Sequence, residues 1–233
     1  MIGVAIPAHD EAERIGACIA SVQAAAGHPA LGGERVHIVV VADACTDSTA
    51  WQCQAAGIDA IIASVRNVGA ARALAADALL RRGARWLAFT DADSRVPVDW
   101  LAAQVGCGHD AFCGVVDLMM EADEVGHLLE GFRATERWGD GHGRIHGANM
   151  GVSAAAYRRA GGFPPLTCHE DVALVERLRW NGASIHWAGS PRVLTSARLE
   201  GRAPGGFAAH LRSLGNSLHE HMDGAAGAGA VPA

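Results

Sequence analysis

Short apolar runs rich in β-branched residues recur at Ile2–Ile6, Val36–Ala42, Ile58–Ala63 and Trp86–Thr90, each separated from the next by a helical pattern. Apolar, β-branched runs of this length read as strands, and strands alternating with helices imply βαβ units on a parallel sheet. In the first intervening segment Ile15, Cys18, Ile19 and Val22 recur at i, i+3, i+4 and i+7, which gives a helix one apolar face for the sheet to cover. A second helix is expected at about Asp47–Ala55, and a third, rich in alanine, from about Gly69 to Arg82, stopping at Gly83. The N-terminal half reads as doubly wound α/β.

Beyond Pro97 that rhythm breaks. The pattern predicts a short helix, a strand at Ala111–Leu118, a helix near Glu124–Trp138 and a glycine-rich stretch from Gly139 to Gly151. A helix from Asp171 to Asn181 follows, then a strand at Ser184–Trp187, a turn at Gly189–Pro191 and a strand at Arg192–Thr195. Phe207, Leu211, Leu214, Leu218 and Met222 recur at three- and four-residue spacing, so a C-terminal helix has one apolar face. From Gly224 onward glycine and alanine dominate, and residues 224–233 are expected to form a disordered tail.

Composition narrows the class. Half of the 233 residues are hydrophobic and 19% are charged, as in globular domains, and one large α/β domain is the better expectation at this length. The net charge is −6 with no dense basic cluster, so nucleic acid is not an expected partner and any bound phosphate must be held locally. The six cysteines show no C-x-x-C spacing and suit a reducing cytoplasm. The chain opens directly into an apolar strand, and no apolar stretch nears the roughly 20 residues needed to span a bilayer, so neither a secretion signal nor a transmembrane segment is expected. Localisation is expected to be cytoplasmic or peripheral to the membrane.

In an open parallel sheet ligands bind at the carboxyl ends of the strands. Four strands end in polar clusters there: Pro7-Ala8-His9-Asp10-Glu11, Asp43-Ala44-Cys45-Thr46-Asp47, Arg66-Asn67-Val68-Gly69 and Asp91-Ala92-Asp93. Helix capping explains an Asp before a helix, as at Asp10 and Asp47. It explains Asp91-Ala92-Asp93 poorly, because two carboxylates so close repel each other unless a cation holds them.

These segments resemble the family 2 glycosyltransferases and their GT-A relatives over about Ile2–Leu199. Ile6-Pro7-Ala8-His9-Asp10-Glu11 matches the P-x-x-[ND]-E start, Val41 to Thr49 matches V-D-D-G-S-T-D-x-T, and Arg66 to Arg72 matches N-x-G-x-x-x-[AR] to within a position. Asp91-Ala92-Asp93 is the D-x-D, Gly147-Ala148-Asn149-Met150 with Gly161-Gly162-Phe163 matches the acceptor-side strand and turn, and Glu170-Asp171 stands at the E-D pair. Two departures stand out. Ala42 replaces the first acid of the usual D-D and Ala44-Cys45 replaces Gly-Ser, so Asp43 alone is carried over as a base-contacting residue and the nucleobase stays open. The Q-x-x-R-W of processive synthases is absent.

The resemblance implies a GT-A fold with a nucleotide-sugar half at residues 1–96 and an acceptor half with the C-terminal helix at 97–223. It implies a nucleoside-diphosphate sugar donor, a small-molecule, lipid or glycan acceptor, and Mn²⁺ or Mg²⁺ held by Asp93 with Asp91, which is also a candidate ribose or sugar contact. Pro7, Glu11, Asp43 and Asn67 are implied around the nucleoside, with Arg72 reaching the donor. Asp171 is the candidate general base of an inverting transfer, with Glu170 orienting the acceptor. His169, His186 and His210 are candidate third metal ligands, Arg198 or Arg202 a candidate diphosphate clamp, and Trp138 and Trp187 candidate sugar-stacking or core residues. The alternatives are a retaining enzyme resembling the glucosyl-3-phosphoglycerate synthases, a sugar-phosphate nucleotidyltransferase, disfavoured by acidic residues after strand one, and a non-catalytic nucleotide-sugar binding module.

Overall fold

A computed structural model describes residues 1–119, 126–199, 207–209 and 211–215. In chain order the elements are β1 (Ile2–Ala8), α1 (Ile15–Ala26), β2 (Val36–Asp43), α2 (Thr49–Ala55), β3 (Asp59–Ala63), α3 (Val68–Arg81), β4 (Trp86–Phe89) and β5 (Ser94–Arg95). There follow α4 (Trp100–Gly106), β6 (Ala111–Met119), α5 (Gly126–Thr135), β7 (Met150–Ser153), α6 (Ala154–Arg159), α7 (Glu170–Trp180) and β8 (Ile185–Ser196). Contacts divide the chain into two units, Met1–Asp117 with Arg137–Thr195, and Leu118–Glu136 with Ser196–Ala233.

The first unit holds nearly all of one eight-stranded sheet in the order β3-β2-β1-β4-β7-β6-β8-β5. Strands β3, β2, β1 and β4 are parallel, with Ile2 opposite both Val36 and Trp86. Their carboxyl ends, at Ala8, Asp43, Ala63 and Phe89, therefore lie along one edge. The expected α/β class is observed, and these strands match the apolar runs to within a residue or two. β7 then enters antiparallel beside β4, and β6 antiparallel beside β7, which makes the sheet mixed.

Helix α1 buries Ile15, Cys18, Ile19 and Val22, the face expected from their spacing. On the other side of the sheet α3 lays Ala71, Ala75 and Leu79 against Ala5, Val39, Val41 and Leu87, joined by Leu174, Val175 and Leu178 of α7. Small side chains on α3 bring its backbone close to the sheet, which is the packing reason for its alanines. No helix among the described residues is long and apolar enough to cross a membrane. All six cysteines are free thiols.

Two features differ from the pattern-based expectation. The predicted strand, turn and strand across Ser184–Thr195 form one strand, β8. Segment 138–141 runs beside it: Gly189 N–H donates to Asp140 Oδ1 at 2.8 Å and Gly141 N–H to Trp187 O at 2.9 Å. A side-chain acceptor thus satisfies the backbone where a turn would otherwise have to. Helix α6 was not expected, yet Ser153 caps it by accepting Ala156 N–H at 3.2 Å.

In the second unit α5 and residues 207–209 and 211–215 are helical. Phe132 and Phe207 meet edge to face at 5.8 Å, beside buried Leu128, Leu129 and Leu211. Leu218, Met222, the tail 224–233, Arg202 and His210 lie outside the described residues.

Candidate active site

The loops after β1, β2 and β3 are braced against one another by carboxylates. Asp10 Oδ1 accepts the Thr46 N–H at 2.6 Å, and Asp47 Oδ2 accepts the Ala12 N–H at 2.9 Å, a reciprocal latch across two loops. The Thr46 bond holds the Asp10 carboxyl below its ordinary value. Asp47 Oδ1 also accepts the Thr49 N–H at 2.9 Å, a local turn just ahead of α2, whose N-cap is Ser48. Asp10, Cys45 and Asp47 lie within 4.8 Å of one another, but these bonds already explain the cluster.

Asp43 is buried and receives three backbone N–H groups, from Val65 (2.7 Å), Arg66 (2.9 Å) and Asn67 (3.0 Å). It fixes the loop that starts α3. Asn67 caps that helix by accepting the Ala70 N–H at 2.9 Å, and its Nδ2 donates to Pro165 O at 3.0 Å. Gly69 is needed because a Cβ there would overlap Pro164 O, and its N–H reaches Leu166 O at 3.1 Å. Pro7 ends β1 opposite Val41, and Glu11 is buried with its N–H on Thr49 Oγ1 at 2.8 Å. Four non-glycine residues with positive φ among the described residues, Asp10, Ala44, Arg66 and His169, occupy the loops after β1, β2 and β3 and the entry to α7. Strained backbone of this kind persists where surrounding structure over-determines it.

The centre is built on Arg72, one turn into α3 and only 3% exposed. Its Nη2 donates to Asp91 Oδ1 at 2.5 Å, and its Nη1 donates to Glu170 Oε1. The Phe163 ring lies 5.7 Å from the guanidinium carbon, and a Cβ on Gly147 would overlap the guanidinium itself. Burial opposes the charge of Arg72, but Asp91, Glu170 and Asp171 outweigh that and drive its pKa up. Burial pushes Glu170 up against the pull of Arg72, with Asp171 and Asp91 adding to the rise.

Asp171, half-buried in the first turn of α7, accepts the Gly147 N–H through Oδ2 and its neighbour Val172 N–H through Oδ1, both at 2.8 Å. Asp91 is also held through its backbone, since its carbonyl accepts from the Cys18 thiol at 3.3 Å. Burial first, then Asp93 and Asp91, push the Cys18 thiol far up, so both carboxylates bear on the same spot. Asp93 is half-buried on the turn into β5, 3.4 Å from Ser94 Oγ. Three carboxylates, those of Asp91, Glu170 and Asp171, thus bear on one guanidinium, and Asp93 follows Asp91 two residues on. Hard oxygen donors in charge surplus suit Mg²⁺ or Mn²⁺, and Asp91, with one oxygen on Arg72, has a second for a cation.

Other expected residues make contacts of their own. His186 stacks on His109 at 5.3 Å and lies 5.7 Å from the ring of Phe112, which is level with Ala88 in the middle of β4. His169 is exposed in a left-handed conformation before α7. Trp138 lies under the Arg192 guanidinium at 4.4 Å and Trp187 meets His142 at 5.8 Å. Arg198 belongs to the second unit, where its N–H reaches Ser196 Oγ at 3.3 Å. Sequence reasoning missed the role of Asn149, which accepts from Trp100 Nε1 at 2.9 Å and donates to Val115 O (2.8 Å) and Pro191 O (2.9 Å). No local pattern signals such a hub.

The sheet order and the carboxylate-lined edge define the GT-A class, and solved structures agree. S. aureus TarS 1-349 in complex with UDP-GlcNAc superposes with a TM-score of 0.63 at 16% identity, covering 87% of this chain. The chain spans about 60% of that protein's length. The mannosyltransferase PcManGT from Pyrobaculum calidifontis, in complex with GDP-Man and Mn²⁺, has a TM-score of 0.62 at 18% identity, covering 99% of this chain and 76% of its own. GalNAc-T7 with UDP, GalNAc and Mn²⁺ has a TM-score of 0.63 at 15% identity, covering 86% of this chain and 44% of its own. No curated protein matches the sequence significantly. Residues 3–118 match the sequence profile of Glycosyl transferase family 2, the family whose motifs the sequence resembles.

Proposed function

We propose that the chain is a metal-dependent glycosyltransferase that moves a sugar from a nucleoside-diphosphate donor to an acceptor hydroxyl with inversion. The observation that carries this reading is the joining of Asp91, just beyond β4, to Glu170, at the start of α7, through Arg72, with Asp93 two residues after Asp91 and Asp171 directly after Glu170. UDP-, GDP- and Mn²⁺-bound neighbours of the same fold support the donor class and the metal. Six free thiols suit the cytoplasm as its compartment.

Asp93 and Asp91 would hold the cation, which when bound neutralises charge on the departing diphosphate. The chain's own residues do the rest. Asp171 takes the proton of the acceptor hydroxyl as that oxygen bonds to the anomeric carbon and the bond to the diphosphate oxygen breaks. Each Asp171 oxygen accepts one backbone N–H and keeps a further lone pair for this proton. Glu170, tied to Arg72, orients the acceptor side. Pro7, Glu11, Asp43 and Asn67 shape the nucleoside end, and Arg198 is the candidate clamp on the diphosphate.

Purified protein incubated with UDP-, GDP- and dTDP-sugars and Mn²⁺ should show thermal stabilisation by its own donor, removed by EDTA. Asp93→Ala should lower turnover by about a hundredfold or more, the scale of losing a group that stabilises developing charge. Equal donor affinity with and without metal, measured calorimetrically, would refute the metal assignment.

A further inference from the structure

We infer that Arg72 is a positioning residue that couples the metal-binding carboxylate to the acceptor-side carboxylates, and does not contact the donor. The inference rests on the glycosyltransferase reading above. The Arg72 side chain is only 3% exposed. Nη1 and Nη2 are committed to Glu170 and Asp91, and Nε is buried without a hydrogen-bond partner among the described residues. Gly147 closes over the guanidinium and Phe163 lies beneath it. Phe163 is itself fixed edge to face on Phe89 at 4.9 Å, and its N–H donates to the Tyr157 hydroxyl at 3.1 Å.

The two carboxylates that share the fork serve different halves of the reaction. Asp91 belongs to the D-x-D, and Glu170 precedes the proposed base, whose Oδ2 is held by the same Gly147 backbone that covers Arg72. A planar guanidinium fixes the separation and angle of two carboxylates at once, whereas an ammonium is a point charge that imposes neither. Retaining a buried ion triad where apolar residues would fold as well is explained if the triad sets geometry. Movement of Glu170 is thereby transmitted to Asp91, and the reverse.

The test is Mn²⁺ affinity of donor-free protein, read by the loss of the free-ion EPR signal, with thermal melts on every variant. Arg72→Lys conserves charge, so a purely electrostatic role leaves the Mn²⁺ Kd unchanged, while positioning raises it by about fivefold or more, the lower range of site-to-site coupling. Glu170→Gln keeps an oxygen for Nη1 and carries the test where Arg72→Lys does not fold. It should raise the Mn²⁺ Kd clearly more than Asp171→Asn, which removes an equal charge one residue away without touching Arg72. With an active sugar donor, both Arg72→Lys and Glu170→Gln should lower kcat with donor KM nearly unchanged. A tenfold rise in donor KM at constant kcat and Mn²⁺ Kd makes Arg72 a donor contact and overturns the inference. So does an unchanged Mn²⁺ Kd in folded Glu170→Gln, or a wild-type protein that binds no Mn²⁺. Failure to turn over any nucleotide sugar would overturn the function reading instead, and the Mn²⁺ comparison would still decide the coupling.

Discussion

Arg72 and Arg85 sit at opposite ends of the same sheet, one in the Asp91 cluster beyond β4 and one just before β4 begins. Both ion-pair with carboxylates, yet the charge balance is reversed. Arg72, 3% exposed, is one cation among Asp91, Glu170 and Asp171. Arg85, 53% exposed, shares a single carboxylate, Glu34, with the Met1 amine, donating to it at 2.7 and 2.5 Å. The exposed centre, two cations on one carboxylate, holds the strand starts together in solvent. The Asp91 cluster carries a surplus of negative charge in half-buried surroundings, an arrangement that is unfavourable alone and favourable when a divalent cation arrives. Surplus charge, more than the presence of ion pairs, separates the functional edge from the structural one.

The largest test of that contrast is to remove each arginine. Arg72→Leu leaves buried carboxylates without their cation and should destabilise the fold by about 3–5 kcal/mol, whereas Arg85→Leu should cost about 1 kcal/mol or less in solvent-screened surroundings. Urea melts of the two variants measure the difference, and equal losses would break the comparison.

Next comes Asp171→Asn, predicted to lower kcat by roughly 10²–10⁴ with donor Kd retained, the range of general-base catalysis. An amide has one acceptor oxygen, so either the Gly147 or the Val172 N–H loses its partner, and stability should fall by about 1–2 kcal/mol. Near-normal turnover in this variant would reduce Asp171 to a local backbone brace.

The smallest effect belongs to Glu34, whose pKa hydrogen bonds from Arg85 hold down to about 2 against an ordinary value of 4.5. A lowered folded-state value means the stabilisation is present above pH 4.5 and is lost as pH falls toward 2. Glu34→Gln should therefore cost about 1 kcal/mol at neutral pH, after allowance for screening, and nothing near pH 2. A difference that persisted in acid would point to packing instead of charge.

Much of this was legible in the sequence because its causes are local. Strands β1 to β4 follow short apolar, β-branched runs, α1 carries a 3.6-residue stripe, and Asp91-Ala92-Asp93 and Glu170-Asp171 are short motifs whose charges lie too close for a capping role to explain the first. The joining of Glu170 to Asp91 was not legible, because a guanidinium 98 residues from Glu170 and 19 from Asp91 mediates it. Nor was the reciprocal latch of Asp10 and Asp47, which caps two loops across 35 and more residues of chain. The turn signal at Gly189–Pro191 failed for the same reason: Asp140, distant in sequence, supplies the acceptor for Gly189 within a continuous β8. The sequence alone determined which segments become strands and helices, and which residue types reach the carboxyl edge, since periodicity and motif spacing act within a few residues. Only the tertiary structure decided which carboxylate meets which cation, because a buried charge takes its partner from whatever the packed chain brings within hydrogen-bond reach.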